Sequence, residues 1–207
     1  MIWVAVAAIG ATAGAWYRPV SADEAWSLVV ARRMNRGEHL YRDVFYGAAP
    51  LAIWLQALAF RITRPQGWVV RSLTITYLVA EVTAVVVLVG SGTPAAAAAA
   101  GLMLALGGVH LAPHNHYGHL STAATLWAAV AADQGWPVVA GCLVGIAVLG
   151  RYPVGVLAAG ALGVHALLID GWLDALLLVG AAALPVLAAL LVRPRSVRWF
   201  FRRAVAN

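Results

Sequence analysis

Charged side chains that are able to exchange protons and bind anions crowd into one stretch of the sequence, residues 21–64. Asp23 and Glu24 are adjacent carboxylates near its start, and Glu38, Asp43 and six arginines follow. Carboxylates accept protons as general bases, and guanidinium groups form charge-assisted hydrogen bonds with phosphate oxygens. Most of the remaining chain is apolar, so these polar groups make the stretch the first candidate for a functional site.

The composition predicts the class of protein that must position these groups. The chain has 207 residues, 63% hydrophobic and 11% charged, with a mean hydropathy of +0.84. These values predict an all-α, polytopic helical membrane protein, and the long uncharged runs exclude a soluble helical domain. The net charge of +6 comes entirely from arginine. We expect these arginines in loops and at lipid headgroups, so membrane lipids are predicted partners and nucleic acid is not. The single cysteine, Cys142, excludes a disulfide framework and is predicted to pack in the core.

The apolar runs predict about seven transmembrane helices in a single transmembrane module over residues 1–207. The run at residues 51–60 is shorter than the roughly 20 residues that a span needs, which predicts a re-entrant or surface-lying helix. If this run does not span and the N-terminus is cytoplasmic, Arg151 and the arginines of residues 193–203 fall on the outer side of the membrane, against the positive-inside rule. If the run does span, the C-terminal arginines fall inside, together with a histidine-rich segment. The shortness of the run favours the first arrangement. The expected parts are a first span (1–17), an external loop with juxtamembrane helices (18–67), the remaining spans (68–192) and a basic tail (193–207).

The start of the polar stretch has the pattern of a helix N-terminus. Ser21 followed by Glu24 is a capping box, and Gly37 is a stop signal, so we expect a helix that ends near Asn35. The apolar and the basic side chains of this helix fall on separate faces. The apolar face carries Trp26, Val29, Val30 and Met34, and the basic face carries Arg32, Arg33 and Arg36. This separation is typical of an amphipathic helix at a membrane surface. Taken alone, Asp23 and Glu24 would only cap this helix.

Taken in order, the residues of this stretch resemble a known family. The pattern is DE, an amphipathic helix, GEHLYRDVF, a YGAAPL turn, an apolar run and then Arg71. It is similar to the first external loop of C-type (GT-C) membrane glycosyltransferases, in the branch of the protein mannosyltransferases and lipid A aminoarabinose transferases. The likeness is close over residues 21–71 and loose over the rest of the chain, as for the N-terminal transmembrane module of such an enzyme.

This resemblance implies a glycosyltransferase that moves a sugar from a polyprenyl-phosphate-linked donor to an acceptor hydroxyl, without a metal or another cofactor. It also implies an integral protein of the bacterial plasma membrane, with the loop facing outside. In this family an acid at the start of the loop deprotonates the acceptor, which implies catalytic roles for Asp23 and its neighbour Glu24. Many relatives carry a lysine just before the proline of the turn, where this chain has Ala48 and Ala49 and contains no lysine at all. Arginines, with Arg64 among the possibilities, must then replace that lysine at the lipid phosphate. The candidate residues for binding substrate or lipid phosphate are Arg42, Asp43, Arg71, His116, Tyr117 and Arg151.

Other polar features lie outside the stretch. Glu81 falls in the middle of a predicted span, where the favoured interpretation is a structural hydrogen bond between helices, with Arg71 or a threonine as partner. Four histidines lie within ten residues, but no acid or thiol accompanies them and Pro113 breaks the helical register, so a metal site is not predicted. They are His110, His114, His116 and His119. Arg151 is equally well explained as an arginine that marks the edge of the bilayer.

Two further classes of function compete with the enzyme. A non-catalytic or truncated module, acting as a scaffold for a second membrane subunit, is supported by length, because full enzymes of this type have further spans and a soluble external domain. In this interpretation WFFRR, at residues 199–203, is expected to be a loop-like tail. A native mass well above 21.7 kDa would favour the longer enzyme. A small transporter built around Glu81 and the histidines is less favoured, because the sequence has no repeat symmetry.

Overall fold

Helices make up nearly all of the regular structure in the described part of the chain. The computed structural model describes residues 9–10, 21–90, 93, 95, 98 and 116–206. Ranges 21–90 and 116–206 contain eight helices, which confirms the predicted all-α class. They are α1 (Ala22–Asn35), α2 (Pro50–Ile62), α3 (Gly67–Val89), α4 (His116–Asp133), α5 (Pro137–Gly150), α6 (Tyr152–Ile169), α7 (Trp172–Val192) and α8 (Pro194–Ala206).

Three of these helices, α3, α6 and α7, are long and apolar enough to cross a membrane. The apolar helices α2 and α5 are shorter, with 13 and 14 residues. At a rise of about 1.5 Å per residue, α2 is about 20 Å long, less than the roughly 30 Å of a hydrocarbon core. The count of seven spans stays a prediction, because most of residues 1–17 and of the run after Thr93 lies outside the described residues.

The N-terminus and C-terminus of α1 lie where the sequence predicts them. The Oγ of Ser21 accepts a hydrogen bond from the backbone N–H of Glu24 at 3.1 Å. After the helix, Gly37 adopts φ +96°, a conformation that a residue without Cβ reaches at little cost. Of the residues on the predicted apolar face, Val30 and Met34 are buried within the protein, whereas Trp26 and Val29 are exposed. The buried face comprises Glu24, Ser27, Val30, Ala31 and Met34. It admits a serine because Oγ of Ser27 donates to the carbonyl of Glu24 at 2.9 Å. It admits Glu24 because the carboxylate pairs with an arginine of α3, as described below.

Glycines allow α5 and α7 to pack closely and in parallel. A Cβ added at Gly141 would lie 2.1 Å from the carbonyl oxygen of Leu178, and one added at Gly145 would lie 2.3 Å from that of Ala182. The two glycines are four residues apart and therefore share one helix face, as in the small-residue packing motifs of membrane helices. Side chains larger than hydrogen at either position would force the two backbones apart.

Pro185, inside α7, explains the surroundings of Cys142. A proline has no N–H, so the carbonyl of Ala181, four residues earlier, loses its donor within the helix. The thiol of Cys142 on α5 lies 3.9 Å from this carbonyl oxygen and donates a weak hydrogen bond to it. Cys142 therefore packs between the helices, as expected from its apolar surroundings in the sequence.

Buried polar contacts join α3 to α4 and α4 to α5. Nδ1 of His119 lies 3.0 Å from Oε1 of Glu81, and Oγ of Ser121 donates to the carbonyl of Ala147 at 2.8 Å. The prediction that Glu81 makes a hydrogen bond between helices is confirmed, but the predicted partners were wrong. Arg71 precedes Glu81 by ten residues in the same helix, about 15 Å along its axis, which is out of reach.

The C-terminal segment is a helix that folds back on the polar stretch, so the expectation of a loop-like tail is wrong. The ring of Phe200 lies 5.7 Å from that of Tyr41 and 6.0 Å from that of Tyr152, measured between centroids. Val197, one turn earlier, is fully buried, whereas Arg198 and Arg202 are exposed. The alternation of apolar and basic residues therefore forms an amphipathic helix whose apolar face packs on the rest of the protein.

We expect Gly145→Ala to lower the midpoint of thermal unfolding in detergent. The added methyl group would overlap a backbone carbonyl, and overpacking of this kind costs about 1–3 kcal/mol. Gly180→Ala on α7 is the matched control, because its Cβ would meet no atom within 4 Å. The control should be unchanged or slightly more stable. Equal midpoints for the two variants would contradict the close packing of α5 and α7.

Candidate active site

A cleft of about 250 Å³ lies beside the N-terminus of α1. It is formed by the first turns of α1, by the turn that precedes α2 and by the start of α4. Asp23 is exposed, and it is the charged residue among the described residues that line the cleft. The structure thus brings together two of the residues predicted from the sequence, Asp23 and Tyr117. The lining consists of Asp23, Trp26, Ser27, Phe45, Tyr46, Gly47, Ala48 and Tyr117.

The two adjacent carboxylates have different surroundings. Successive side chains on a helix point about 100° apart, so Asp23 faces the cleft while Glu24 faces α3. Glu24 is only 1% exposed, and its Oε1 accepts a hydrogen bond from Nε of Arg71 at 2.9 Å. The side chain of Glu24 therefore forms an ion pair with another helix. Of the predicted capping box, the hydrogen bond to Oγ of Ser21 is formed.

This ion pair fixes the N-terminus of α1 on α3. The side chains of Arg71 and Glu24 are 13% and 1% exposed, so both charges are largely removed from water. The other carboxylate oxygen of Glu24, Oε2, is buried and has no hydrogen-bond partner among the described residues. Removing one member of a buried ion pair leaves an uncompensated charge, which makes each member necessary to the other.

Two tyrosines shape this part of the site: Tyr46 lines the cleft, and Tyr41 supports the turn that contributes to it. Tyr46 is 6% exposed, and its hydroxyl has no hydrogen-bond partner among the described residues. Burial first, and then the neighbouring Tyr117 and Asp23, raise the pKa of Tyr46 above its ordinary value, so its O–H stays a donor. The O–H of Tyr41 donates to the carbonyl of Ala48 at 2.5 Å and holds the turn in place. Burial likewise raises the pKa of Tyr41.

Arg42 and Asp43 bind each other in the loop between α1 and α2. Nε and Nη2 of Arg42 donate to the two carboxylate oxygens of Asp43 at 2.8 and 3.0 Å. The backbone N–H of His39 donates to Oδ2 of Asp43 at 2.9 Å. The hydrogen bonds from Arg42 first, and from His39 second, lower the pKa of Asp43 to about 2. The role of Arg42 and Asp43 in binding lipid phosphate stays a prediction.

The remaining candidate residues are dispersed. Arg71 belongs to the ion pair with Glu24, and Arg151 is exposed at the junction of α5 and α6. His116 begins α4, but its side chain lies outside the described part of the chain, as do His110 and His114. The sequence pattern did not predict a role in the site for Trp26, Ser27, Phe45 and Tyr46. The aromatic residues at the YGAAPL turn were the available signal for Phe45 and Tyr46.

The apolar helices define an integral membrane protein, and the cleft with its carboxylate is a polar site at the N-terminus of α1. Residues 47–198 match the family model described as dolichyl-phosphate-mannose-protein mannosyltransferase. This match covers more than half of the chain, and the chain therefore belongs to that family of GT-C glycosyltransferases. The resemblance seen in the sequence is confirmed. The match begins at Gly47, so α1 and Asp23 lie before it.

A solved structure has a similar fold. The crystal structure of ArnT from Cupriavidus metallidurans bound to undecaprenyl phosphate matches with a TM-score of 0.62 and 22% sequence identity. The match covers 100% of this chain and 41% of that one, so this chain spans less than half the length of that relative. A comparison with curated proteins gives no significant sequence match.

We expect Arg71→Gln to destabilise the protein by about 3 kcal/mol, because it leaves the carboxylate of Glu24 buried without its partner. The double variant Glu24→Gln/Arg71→Gln should regain part of this loss, since it buries no unpaired charge. The measurement is the free energy of unfolding in detergent for both single variants and the double variant. Arg198→Gln, which removes an exposed arginine, is the control for loss of charge. Strictly additive effects of the two single substitutions would contradict the pairing.

The loop around Asp43 should loosen at acidic pH. Because the folded loop lowers the pKa of Asp43, its stabilising effect is fully present above the ordinary value of 3.8 and is lost as the pH falls towards about 2. We expect the amide of His39 to lose protection from hydrogen exchange over this interval. The variant Asp43→Asn, which does not titrate, should show no such step. A step of the same size in that variant would assign the change to another group.

Proposed function

We propose that this chain carries the part of a membrane glycosyltransferase that binds and activates the acceptor. The donor is a sugar linked to polyprenyl phosphate, and the reaction takes place at the outer face of a bacterial plasma membrane. The observation that carries the proposal is the exposed carboxylate of Asp23 in an aromatic cleft, within a chain of the mannosyltransferase family. Support for a lipid-linked donor comes from the fold shared with ArnT, whose structure holds undecaprenyl phosphate.

In the proposed reaction Asp23 acts as the general base. Its carboxylate takes the proton of the acceptor hydroxyl while the hydroxyl oxygen forms a bond to the anomeric carbon of the sugar. The bond between this carbon and the phosphate oxygen breaks, and its electron pair leaves with the lipid phosphate. The position of Asp23 in the first turn of α1 suits this role, because the helix dipole interacts favourably with a negative charge there.

The other residues of the cleft hold the acceptor against Asp23. Trp26, Phe45 and Tyr117 offer apolar ring surfaces, and the O–H of Tyr46 is a buried donor without a partner in the described protein. Pockets of this kind combine aromatic walls with a few polar groups that fix orientation. In this proposal Glu24 and Arg71 are positioning residues, because their ion pair fixes the helix turn that carries Asp23.

The leaving phosphate requires positive charge, since stabilising a developing anion is a large part of catalysis in such a reaction. Arg42, Arg151 and His116 remain the candidates for this role, with Arg71 as a further one that would have to act while paired with Glu24. The donor is therefore expected to approach the cleft from a side that brings its phosphate to one of these groups.

Substitution of Asp23 by asparagine tests the proposal. We expect Asp23→Asn, made in the natural full-length polypeptide, to insert normally and to reduce transfer of labelled sugar from a lipid-linked donor at least about 100-fold, the typical contribution of a general base. The assay measures label in the acceptor fraction of membranes that contain equal amounts of protein.

Asp170→Asn is the matched control, because Asp170 is an exposed carboxylate at the end of α6 remote from the cleft. It should retain full transfer. Undiminished transfer by Asp23→Asn would remove Asp23 from catalysis. If the unaltered protein supports no transfer but co-purifies with a second membrane subunit, the scaffold alternative is correct instead.

A further inference from the structure

A second concave site lies at the opposite end of α1 from Asp23. Two adjoining cavities of about 200 and 390 Å³ share Met34, Arg61, Val192 and Arg193 in their walls, so they form one continuous groove. It runs between the C-terminal ends of α1 and α2 and the corner where α7 meets α8. We call it the arginine groove and define it by Met34, Trp54, Arg61, Val192, Arg193 and Arg195.

The arginine groove carries positive charge that the described protein does not neutralise. Arg193 and Arg195 are exposed, and their side chains form no ion pair within the described ranges. The groove also contains one acid, Glu38, but this carboxylate is already bound by Arg33 at 2.5 Å. Cations gathered around one cavity repel each other, and a bound anion would relieve that repulsion.

Arg61, the other arginine that defines the groove, is held in place by neighbouring residues. Asn35 at the end of α1 donates through Nδ2 to the carbonyl of Ala57 at 2.9 Å, and its Oδ1 accepts from Nε of Arg61 at 3.2 Å. This leaves the two terminal nitrogens of Arg61 as donors, in the planar arrangement that suits phosphate oxygens. The guanidinium is therefore oriented before any ligand arrives, which reduces the entropic cost of binding.

The floor of the groove is apolar and continues onto a membrane helix. Trp54, Ala57 and Leu58 line its inner part, and Val192 is 75% exposed at its edge. Next to it, Leu191 is 84% exposed on α7, which is long and apolar enough to cross a membrane. Arg193 follows the last residue of that helix directly, at the depth where lipid headgroups begin. A ligand with both an anionic head and an acyl chain matches this arrangement better than a free anion does.

We infer that the arginine groove binds the phosphate headgroup of an anionic membrane phospholipid, with an acyl chain lying along the exposed apolar surface of α7. Asp23 and Met34 are eleven residues apart in α1, which is about 16 Å along the helix axis. The sugar donor must place its phosphate within a few ångströms of the reacting atoms, so the lipid of the groove is a different molecule. It joins α1, α2, α7 and α8 and stabilises the loop that carries the cleft.

Native mass spectrometry of the full chain in detergent tests this inference. With added phosphatidylglycerol, we expect one tightly retained lipid, and with phosphatidylcholine at the same concentration none. Each arginine near an anionic headgroup adds to the free energy of lipid binding, so Arg193→Gln/Arg195→Gln should weaken retention of phosphatidylglycerol about tenfold. Retention should also raise the midpoint of thermal unfolding of the unaltered chain, and raise that of the variant by clearly less at the same lipid concentration.

Arg198→Gln/Arg202→Gln is the matched control, because it removes two exposed arginines of α8 that lie outside the groove. It should retain phosphatidylglycerol as the unaltered chain does. Equal loss in both double variants would show general attraction to anionic lipid and overturn the inference. So would displacement of the lipid by inorganic phosphate at millimolar concentration, or equal retention of phosphatidylcholine. If the groove variant does not fold in detergent, Arg195→Gln alone carries the same test, with a smaller expected loss.

Discussion

The buried ion pair between Glu24 and Arg71 is the contact on which the candidate active site depends. It joins the first turn of α1 to the first turns of α3, across 47 residues of sequence. Asp23 is the preceding residue, so the direction of its carboxylate follows from the position of Glu24. A buried charge without a partner would be very costly, and the carboxylate of Glu24 is tolerated because the guanidinium of Arg71, itself largely buried, pairs with it. One side chain thus anchors the helix while its neighbour remains exposed to a ligand.

Smaller polar contacts carry this constraint from α1 to the rest of the loop. Arg33 binds Glu38 and also donates to the carbonyl of Asp43 at 3.3 Å, so the chain that leaves α1 turns back on the helix. Tyr41 then holds the carbonyl of Ala48, and its ring packs against Phe200 of α8. The loop is consequently supported at its start by α3, at its middle by its own arginines and at its end by the C-terminal helix.

Local signals predicted those features that depend on neighbouring residues in the chain. Ser21 and Gly37 fixed the limits of α1 because capping and positive φ are properties of a few consecutive residues. Apolar runs indicated the membrane helices for the same reason. The partner of Glu81 was not predictable in this way, because His119 lies 38 residues further on and approaches only when α3 packs against α4.

The different roles of Asp23 and Glu24 were equally hidden, because both residues fit a helix N-terminus and the choice between them depends on where Arg71 lies. The amphipathic pattern of residues 194–206 was visible in the sequence, but the aromatic partners that make it a packed helix come from Tyr41 and Tyr152, distant in the chain. Burial of a given face is decided by such tertiary neighbours and not by periodicity.

The charge of the cleft indicates which substrate of the proposed reaction it receives. The resemblance to GT-C enzymes implies a lysine before Pro50, yet this chain has Ala48 and Ala49 there, and Ala48 lines the cleft. The hydrogen bond from Tyr41 to the carbonyl of Ala48 holds the turn. The side chain at this position is a methyl group and not the cation of a lysine. A phosphate 4 Å from the carboxylate of Asp23 would meet a repulsion of about 4 kcal/mol at an effective dielectric constant near 20. A neutral hydroxyl meets none and gains a hydrogen bond. In the proposed reaction the cleft therefore receives the acceptor, and the phosphate of the donor lies beyond it, towards an arginine from another part of the protein.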